Sequence, residues 1–332
     1  MPELDLVVVP PAARGQRLDR WLAGLPDAAT RSQIAQAIAA GRVTVDGVAA
    51  RASYKLRGGE RVHVAPGRPQ PTSDVRAEAL EIDVIYEDAR VVAVNKPPGM
   101  VVHPAVGNRA GTLVNALLHR FPGARFPGAP DRAGIVHRLD RHTSGVILVA
   151  LDARTHEALA KQFRSRTIEK HYLALVHGDV RAPGSIDAAI GRHPHDRKRM
   201  SVSARSARTA ETHYRPLERF GIASLLDVEP KTGRTHQIRV HLASRGFPVV
   251  ADAVYGTPSE RAVASARKRW GKAARVLESM PRQALHAWRI AFTHPEDGRR
   301  VELEAAVAAD LARVVAELRA AVPGLRNQVD SR

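Results

Sequence analysis

Up to residue 65 the apolar positions are short-ranged. Leu18, Trp21, Leu22 and Leu25 recur at helical spacing within 17–25. Thr30, with Gln33 three residues on, has the pattern of a capping box for a second helix, which Gly41 closes. Two short stretches, 42–45 and 61–64, predict strands, the first followed by Asp46-Gly47 turn chemistry. These elements make 14–65 a small module. Residues 66–79 hold three prolines and few apolar side chains, which predicts a semi-rigid, extended linker.

From residue 80 the runs lengthen. Stretches 82–86 and 91–94 read as short strands separated by Glu87-Asp88, and Asn95-Lys96-Pro97-Pro98-Gly99 follows as a tight loop. An amphipathic helix is predicted over 112–121. The run from Val146 to Leu151 is continuous, β-branched and aliphatic, the pattern of a buried strand. A helix over 155–163 precedes a strand over 167–176 with Lys170, Tyr172 and Ala174 on one face. The turn at Gly233 leads into a predicted strand whose alternate residues Thr235, Gln237 and Arg239 share a face. Residues 259–282 read as a basic, Ala-rich helical insertion, 285–292 as a strand and 309–321 as the last helix, before a tail, 323–332, expected to fray.

Charge and composition narrow the possibilities. The chain has 51 Lys and Arg against 34 Asp and Glu, a formal +17, which favours an anionic partner, most simply a nucleic acid. Six of these cations lie in 191–208, a segment with one acid, Asp196, and almost no large apolar residue, which predicts an RNA-facing loop. The absence of cysteine removes disulfides, Cys-ligated zinc and thiol nucleophiles, and suits a reducing cytosol. His193-Pro194-His195 lacks the second donor pair a zinc site needs, so no metal is expected. No run approaches the roughly 18 apolar residues of a membrane span, and the N-terminus lacks the basic start and apolar core of a signal peptide. A soluble, cytoplasmic monomer is expected.

The candidate chemistry lies just before the buried strand, in GIVHRLDRHTSGVILVALD, residues 134–152. Asp140 sits at the mouth of that strand with Arg138 and Arg141 on either side, and nearby cations favour an ionised carboxylate. A rigidly held, ionised carboxylate can act as nucleophile or general base. A self-neutralising surface turn is the bland alternative. The order His-Arg-Leu-Asp differs from the kinase His-Arg-Asp, and neither a Gly-rich phosphate loop nor Asp-Phe-Gly accompanies it.

The string HRLDxxTSG, together with NKPPG, KHYLA and GRTHQIRVH in that order, closely resembles the RluA-type pseudouridine synthases, nearest their RluD-like branch, which acts on large-subunit ribosomal RNA. Residues 14–65 resemble the RNA-binding domain shared with ribosomal protein S-four. The resemblance implies an α+β fold: the small helix-and-hairpin domain, then a catalytic domain over 80–322 with a bent, largely antiparallel mixed sheet. It implies an RNA pseudouridine synthase that isomerises uridine without a cofactor. Asp140 would be the catalytic carboxylate and Tyr172 would line the uracil as a candidate for proton transfer. Arg239, or as second choice Arg234, would pair with Asp140. Arg138 would fill the vacated base stack or contact phosphate. Lys96 could contact RNA, although a structural role for its loop fits better. Arg31, Gln33, Arg42 and Lys55 would be phosphate contacts of the first domain. Asp252 and Tyr255 would be structural.

Two other classes compete with the isomerase. A non-catalytic RNA-binding or assembly protein predicts the same basic surface but has no use for the Asp140, Tyr172 and Arg239 set. A metal-dependent nuclease exploiting the 15 histidines lacks a carboxylate cluster and predicts inhibition by chelator.

Overall fold

The computed structural model describes residues 4–25, 31–65, 75–104, 108–124, 126–127, 131–196, 199–204, 206–256 and 260–323. The chain divides into two compact units, 1–72 and 73–332.

In the first unit β1 (Leu4–Val8), α1 (Leu18–Leu22), α2 (Arg31–Ala39), β2 (Val43–Val45), β3 (Val48–Ala49) and β4 (Arg61–Val64) follow one another. The strands form one sheet in the order β1-β4-β2-β3, so a strand N-terminal of residue 14 belongs to it. Leu18, Trp21, Leu22, Ile34 and Ile38 pack on Val43, Val45, Val62 and Val64, a core that follows from the helical and alternate spacing of these residues. The Thr30 cap and the Gln33 side chain lie outside the described residues.

The second unit is built on a nine-stranded sheet. Its elements are β5 (Asp83–Glu87), β6 (Val91–Lys96), α3 (Leu113–Arg120), β7 (Ser144–Ala150), α4 (Ala153–Ser165), β8 (Glu169–His177), β9 (Gly184–Asp187), β10 (Gly191–Arg192), β11 (Met200–Ser201), β12 (Glu211–Arg219), β13 (Ala223–Pro230), α5 (Gln237–Ser244), α6 (Glu260–Glu278), β14 (Leu285–Thr293), β15 (Arg300–Glu304) and α7 (Ala309–Ala321). The sheet order is β5-β6-β7-β14-β8-β13-β12-β9, with β15 on β14, and β10 pairs with β11 as a separate hairpin. All its pairings are antiparallel except β7 with β14, so the sheet is mixed. Every residue of β7 is buried because both faces of the sheet carry core. Thr112 caps α3 reciprocally with Asn115. Among the described residues no helix is long and apolar enough to cross a membrane.

One expectation fails outright. The segment after His236 is a helix, α5, and not a strand. Gln237, Ile238, Arg239, Val240, His241 and Leu242 are all buried, so the polar–apolar alternation does not separate a wet face from a dry one. The polar members are instead satisfied inside: Gln237 bonds Thr232, Thr212 and the Glu211 carbonyl, and His241 bonds Thr212 and the Ala188 carbonyl. The basic insertion is helical, as its composition predicts, with non-helical backbone at Trp270.

Candidate active site

Asp140 stands in the loop between Ile135 and β7, and the protein holds that loop at successive residues. Lys96 Nζ donates to Arg141 O at 3.2 Å, and to Pro97 O and Met100 O at 2.8 and 3.0 Å. Arg282 Nη1 donates to His142 O at 2.8 Å, and Gln283 Nε2 to Thr143 Oγ1 at 2.9 Å. Ser144 Oγ receives Arg282 Nη2 at 3.2 Å and lies 2.9 Å from His286 Nδ1. Arg282 is itself fixed by two 2.7 Å bonds to Asp310. Gly145 makes the exit possible: its φ is +112°, and a Cβ there would overlap the Ala287 backbone across the β7–β14 pairing.

Lys96 thus needs correction as an RNA contact. It is fully buried at the end of β6, and its three N–H groups face three carbonyls. Burial, aided by the Arg282 charge and opposed by Asp140, pushes its ammonium down to about 7. Three carbonyl acceptors engage three N–H groups, which only the protonated amine has, so the bonding works to keep the charge. Lys96 ties the NKPPG loop to the Asp140 loop.

Arg239, on the first turn of α5, connects Asp140 to a second carboxylate. Its Nη1 donates to Asp140 Oδ2 at 2.9 Å, while Nε and Nη2 donate to Asp252 at 2.6 and 2.7 Å. Asp252 is fully buried and also accepts from the Val254 and Tyr255 N–H groups. Burial works to raise Asp252, and the Arg239 bonds and charge with the two backbone donors outweigh it, holding the carboxyl below its usual range. The Asp140 side chain keeps 22% of its surface. Arg234 does not reach it: Arg234 Nε donates to Thr209 O at 3.1 Å.

These residues open into a cleft of about 630 Å³. Asp140, Tyr172, Arg239 and His236 line it together with Arg138, Arg164, Arg166, Arg208, Lys231 and Arg234. Among the described residues Asp140 is the one carboxylate in that lining. Burial, and secondly the Asp140 charge, push the Tyr172 hydroxyl up. Burial likewise pushes Lys170 down to about 8, against the attraction of Glu229. Arg234 is lowered by burial and then by the charges of Arg208 and Arg166, so three guanidiniums converge here with no acid between them. Such a set attracts phosphate. Arg138 is exposed beside Asp140.

Several contributors escape a reading of the sequence. His137 accepts the Leu148 N–H on Nε2 at 2.9 Å and stacks on Phe163 at 4.7 Å; burial pushes it down to about 3, so it is a neutral brace for the Arg138 backbone. Arg282, Gln283 and Asp310 act through partners 28 to 140 residues away, which no local pattern signals; Asp252, expected to be structural, anchors Arg239. His193 uses Nδ1 to accept the His195 and Asp196 N–H groups, closing its own turn. Among the described residues no three His, Asp or Glu side chains converge as metal ligands. In the first unit Arg42 is half-buried and Lys55 exposed, while the Arg31 and Gln33 side chains lie outside the described residues.

A partly exposed carboxylate in a cleft whose other charged residues are cationic, on this mixed sheet, suits a protein that acts on RNA, and comparison with known proteins names the family. The RNA pseudouridylate synthase profile matches residues 90–244 and the S4 domain profile residues 16–62. A ribosomal large subunit pseudouridine synthase D of Nitrosomonas europaea is 42% identical over 313 residues, 94% of this chain and 87% of that one. Its counterpart of the same description from Xanthomonas campestris pv. campestris is 42% identical over 316 residues, 95% and 93% of the two chains. The solved structure of human RNA pseudouridylate synthase domain containing 1 superposes with a TM-score of 0.54 at 27% identity, covering 74% of this chain and 97% of that one. The chain belongs to the RNA pseudouridylate synthase family, and it carries an S4 domain ahead of the catalytic unit.

Proposed function

We propose that this protein isomerises uridines of large-subunit ribosomal RNA to pseudouridine in the cytoplasm, acting as a monomer, with Asp140 as its catalytic carboxylate. The relatives described above supply the substrate class. The observation that carries the assignment of Asp140 is its pairing with Arg239, itself anchored on buried Asp252, in a lining with no other carboxylate among the described residues. Arg239 binds Asp140 through a single oxygen, Oδ2.

The reaction breaks the bond from ribose to uracil nitrogen and remakes it to ring carbon 5. The carboxylate must be fixed at the sugar–base junction, and the Arg239 bond fixes it. Tyr172, neutral and beside Asp140, lines the uracil and is the candidate to move the carbon 5 proton. The target base must leave its stack, which costs a few kcal/mol, and Arg138 at the cleft mouth is placed to fill the gap. Arg234 with Arg166 and Arg208 takes flanking phosphate, and Arg31, Gln33, Arg42 and Lys55 are assigned to RNA contacts of the S4 domain.

The test uses ribosomal RNA carrying tritium at uracil carbon 5, with chelator present, for wild type and Asp140→Asn. Release by wild type alone, with RNA affinity kept in the variant, is the expected result. Binding without release by either protein, on free RNA and on pre-ribosomal particles, would instead mark a non-catalytic assembly protein.

A further inference from the structure

Beside Asp140 stands an imidazole with no role in the mechanism so far. His236 precedes α5 in the left-handed conformation (φ 56°, ψ 18°), which non-glycine residues seldom enter and which His and Asn tolerate better than most. Its side chain is 20% exposed and lines the cleft. His236 Nδ1 lies 2.9 Å from the Tyr255 hydroxyl, and the Met200 N–H donates to that same hydroxyl oxygen at 2.8 Å.

These two bonds fit a neutral ring with Nδ1 as acceptor. A backbone N–H only donates, so the phenol oxygen is the acceptor for Met200. The phenol proton is then free to be donated to His236 Nδ1, which lies 2.9 Å away. An Nδ1 that accepts carries no proton, so the neutral ring carries its proton on Nε2. Burial favours that neutral ring, against the pull of Asp140. Nε2 faces Asp140 Oδ2 at 3.9 Å, beyond hydrogen-bond reach, and Oδ2 already accepts from Arg239. In that tautomer the Nε2–H is a donor at the cleft wall, beside Asp140.

We propose that His236 is a catalytic residue whose Nε2–H donates to a carbonyl oxygen of the uracil held against Asp140, and that Tyr255 is the positioning residue that orients it. The proposal rests on the uridine-isomerisation reading. When the ribose–nitrogen bond breaks, its electron pair stays with the uracil and spreads onto the carbonyl oxygens. The pair returns as the new carbon–carbon bond forms, carbon 5 losing its proton and the ring nitrogen gaining one. A fixed neutral donor strengthens as that charge grows, so it acts on kcat more than on KM. An imidazolium would instead bind Asp140 itself. Tyr255 is held by the Arg239 and Arg199 guanidiniums, 5.1 and 5.5 Å from its ring centre, which links the β10–β11 hairpin to the donor.

Two substitutions separate the donor from a structural role. His236→Asn suits the left-handed backbone and can still meet Tyr255 near the Nδ1 position, but it does not reach the cleft. His236→Gln reaches the Nε2 position and gives up the Tyr255 bond. The tritium-release assay on the full chain is expected to show kcat down at least about tenfold in the Asn variant, with KM little changed and partial recovery in the Gln variant. Wild-type turnover by the Asn variant would overturn the proposal, as would a larger loss in Gln than in Asn. Nitrogen-15 spectra of histidine-labelled protein give a second readout: Nε2–H in wild type, mixed tautomers in Tyr255→Phe, and a shifted Nε2–H resonance when uridine-containing RNA is added. A protonated Nδ1, or no shift on saturation with RNA, would sink it. Failure of the isomerase reading looks different, since wild type itself then releases no tritium.

Discussion

Asp252 holds Asp140 at one remove: both carboxylates bind the Arg239 guanidinium, Asp252 through Nε and Nη2 at 2.6 and 2.7 Å and Asp140 through Nη1 at 2.9 Å. Removing Asp252 therefore leaves a buried guanidinium with one partial partner. Asp252→Ala should lose about 3–5 kcal/mol of stability, the usual cost of breaking a buried pair from one side. Denaturant melts measure that loss, and the same protein should turn over slowly even where it stays folded, because Arg239 is free to move.

The same carboxylate sets an acid limit. Its folded-state pKa lies below the unfolded value, so the stability it contributes is complete above about pH 4 and declines as pH falls toward the folded value. Asp227 and Asp310, each held low against burial by arginine bonds (Asp227 first by His171), add to the effect in the same direction. Unfolding midpoints taken between pH 5 and 3 should fall steeply for wild type. In Asp252→Asn they should start lower and fall less.

Lys96→Met tests whether the buried ammonium is a brace or an RNA contact. The substitution strands three carbonyls that now accept from Nζ, at about 1–3 kcal/mol for each one left unsatisfied. Stability and kcat should fall while the slope of log affinity against log salt stays at the wild-type value. A slope reduced by about 0.7–0.9, the signature of one lost phosphate contact, would restore the RNA-contact reading.

Arg166, Arg208 and Arg234 should behave in the opposite way. Replacing Arg208 or Arg234 by Gln should weaken binding, flatten the salt dependence by about 0.7–0.9 per phosphate contact, and leave kcat close to wild type at saturating RNA. Fluorescence anisotropy at several salt concentrations reads the slope directly.

Two glycines near the site should differ sharply. Gly145→Ala places a methyl group on the Ala287 backbone in a left-handed conformation and should prevent folding or cost several kcal/mol. Gly233 has open space around it and ordinary backbone, so Gly233→Ala should change the melting temperature little. Soluble yield and thermal melts distinguish them.

Much of this architecture is legible in the sequence where burial is one-sided or complete. The uninterrupted apolar run of β7, the amphipathic helix α3 and the last helix, α7, all form as expected. The α5 segment misleads for a definite reason. Its Gln237, Arg239 and His241 are interior residues satisfied by hydrogen bonds, and polarity along it does not track exposure. Nothing in the sequence picks out β12, where Pro216 sits at a register shift on a strand of mixed burial. In the candidate site Asp140, Tyr172 and Arg239 stand out because they occur within recognisable strings, and they share one cleft. Arg282 and Asp310 do not, because a guanidinium–carboxylate pair 28 residues apart leaves no mark in local spacing; Asp252 lies in a recognisable string, but its grip on Arg239 does not show there.

The pins on the Asp140 loop have a consequence for the making of the protein. Arg239 lies 99 residues after Asp140, and Arg282 binds His142 from 140 residues further on while leaning on Asp310. A chain emerging from the ribosome completes its S4 unit early, with that unit's own apolar core already closed. The carboxylate is made long before the residues that set it, the last of which arrive with α7. A nascent chain that has not yet added α7 leaves Arg282, and with it the Asp140 loop, without this anchor.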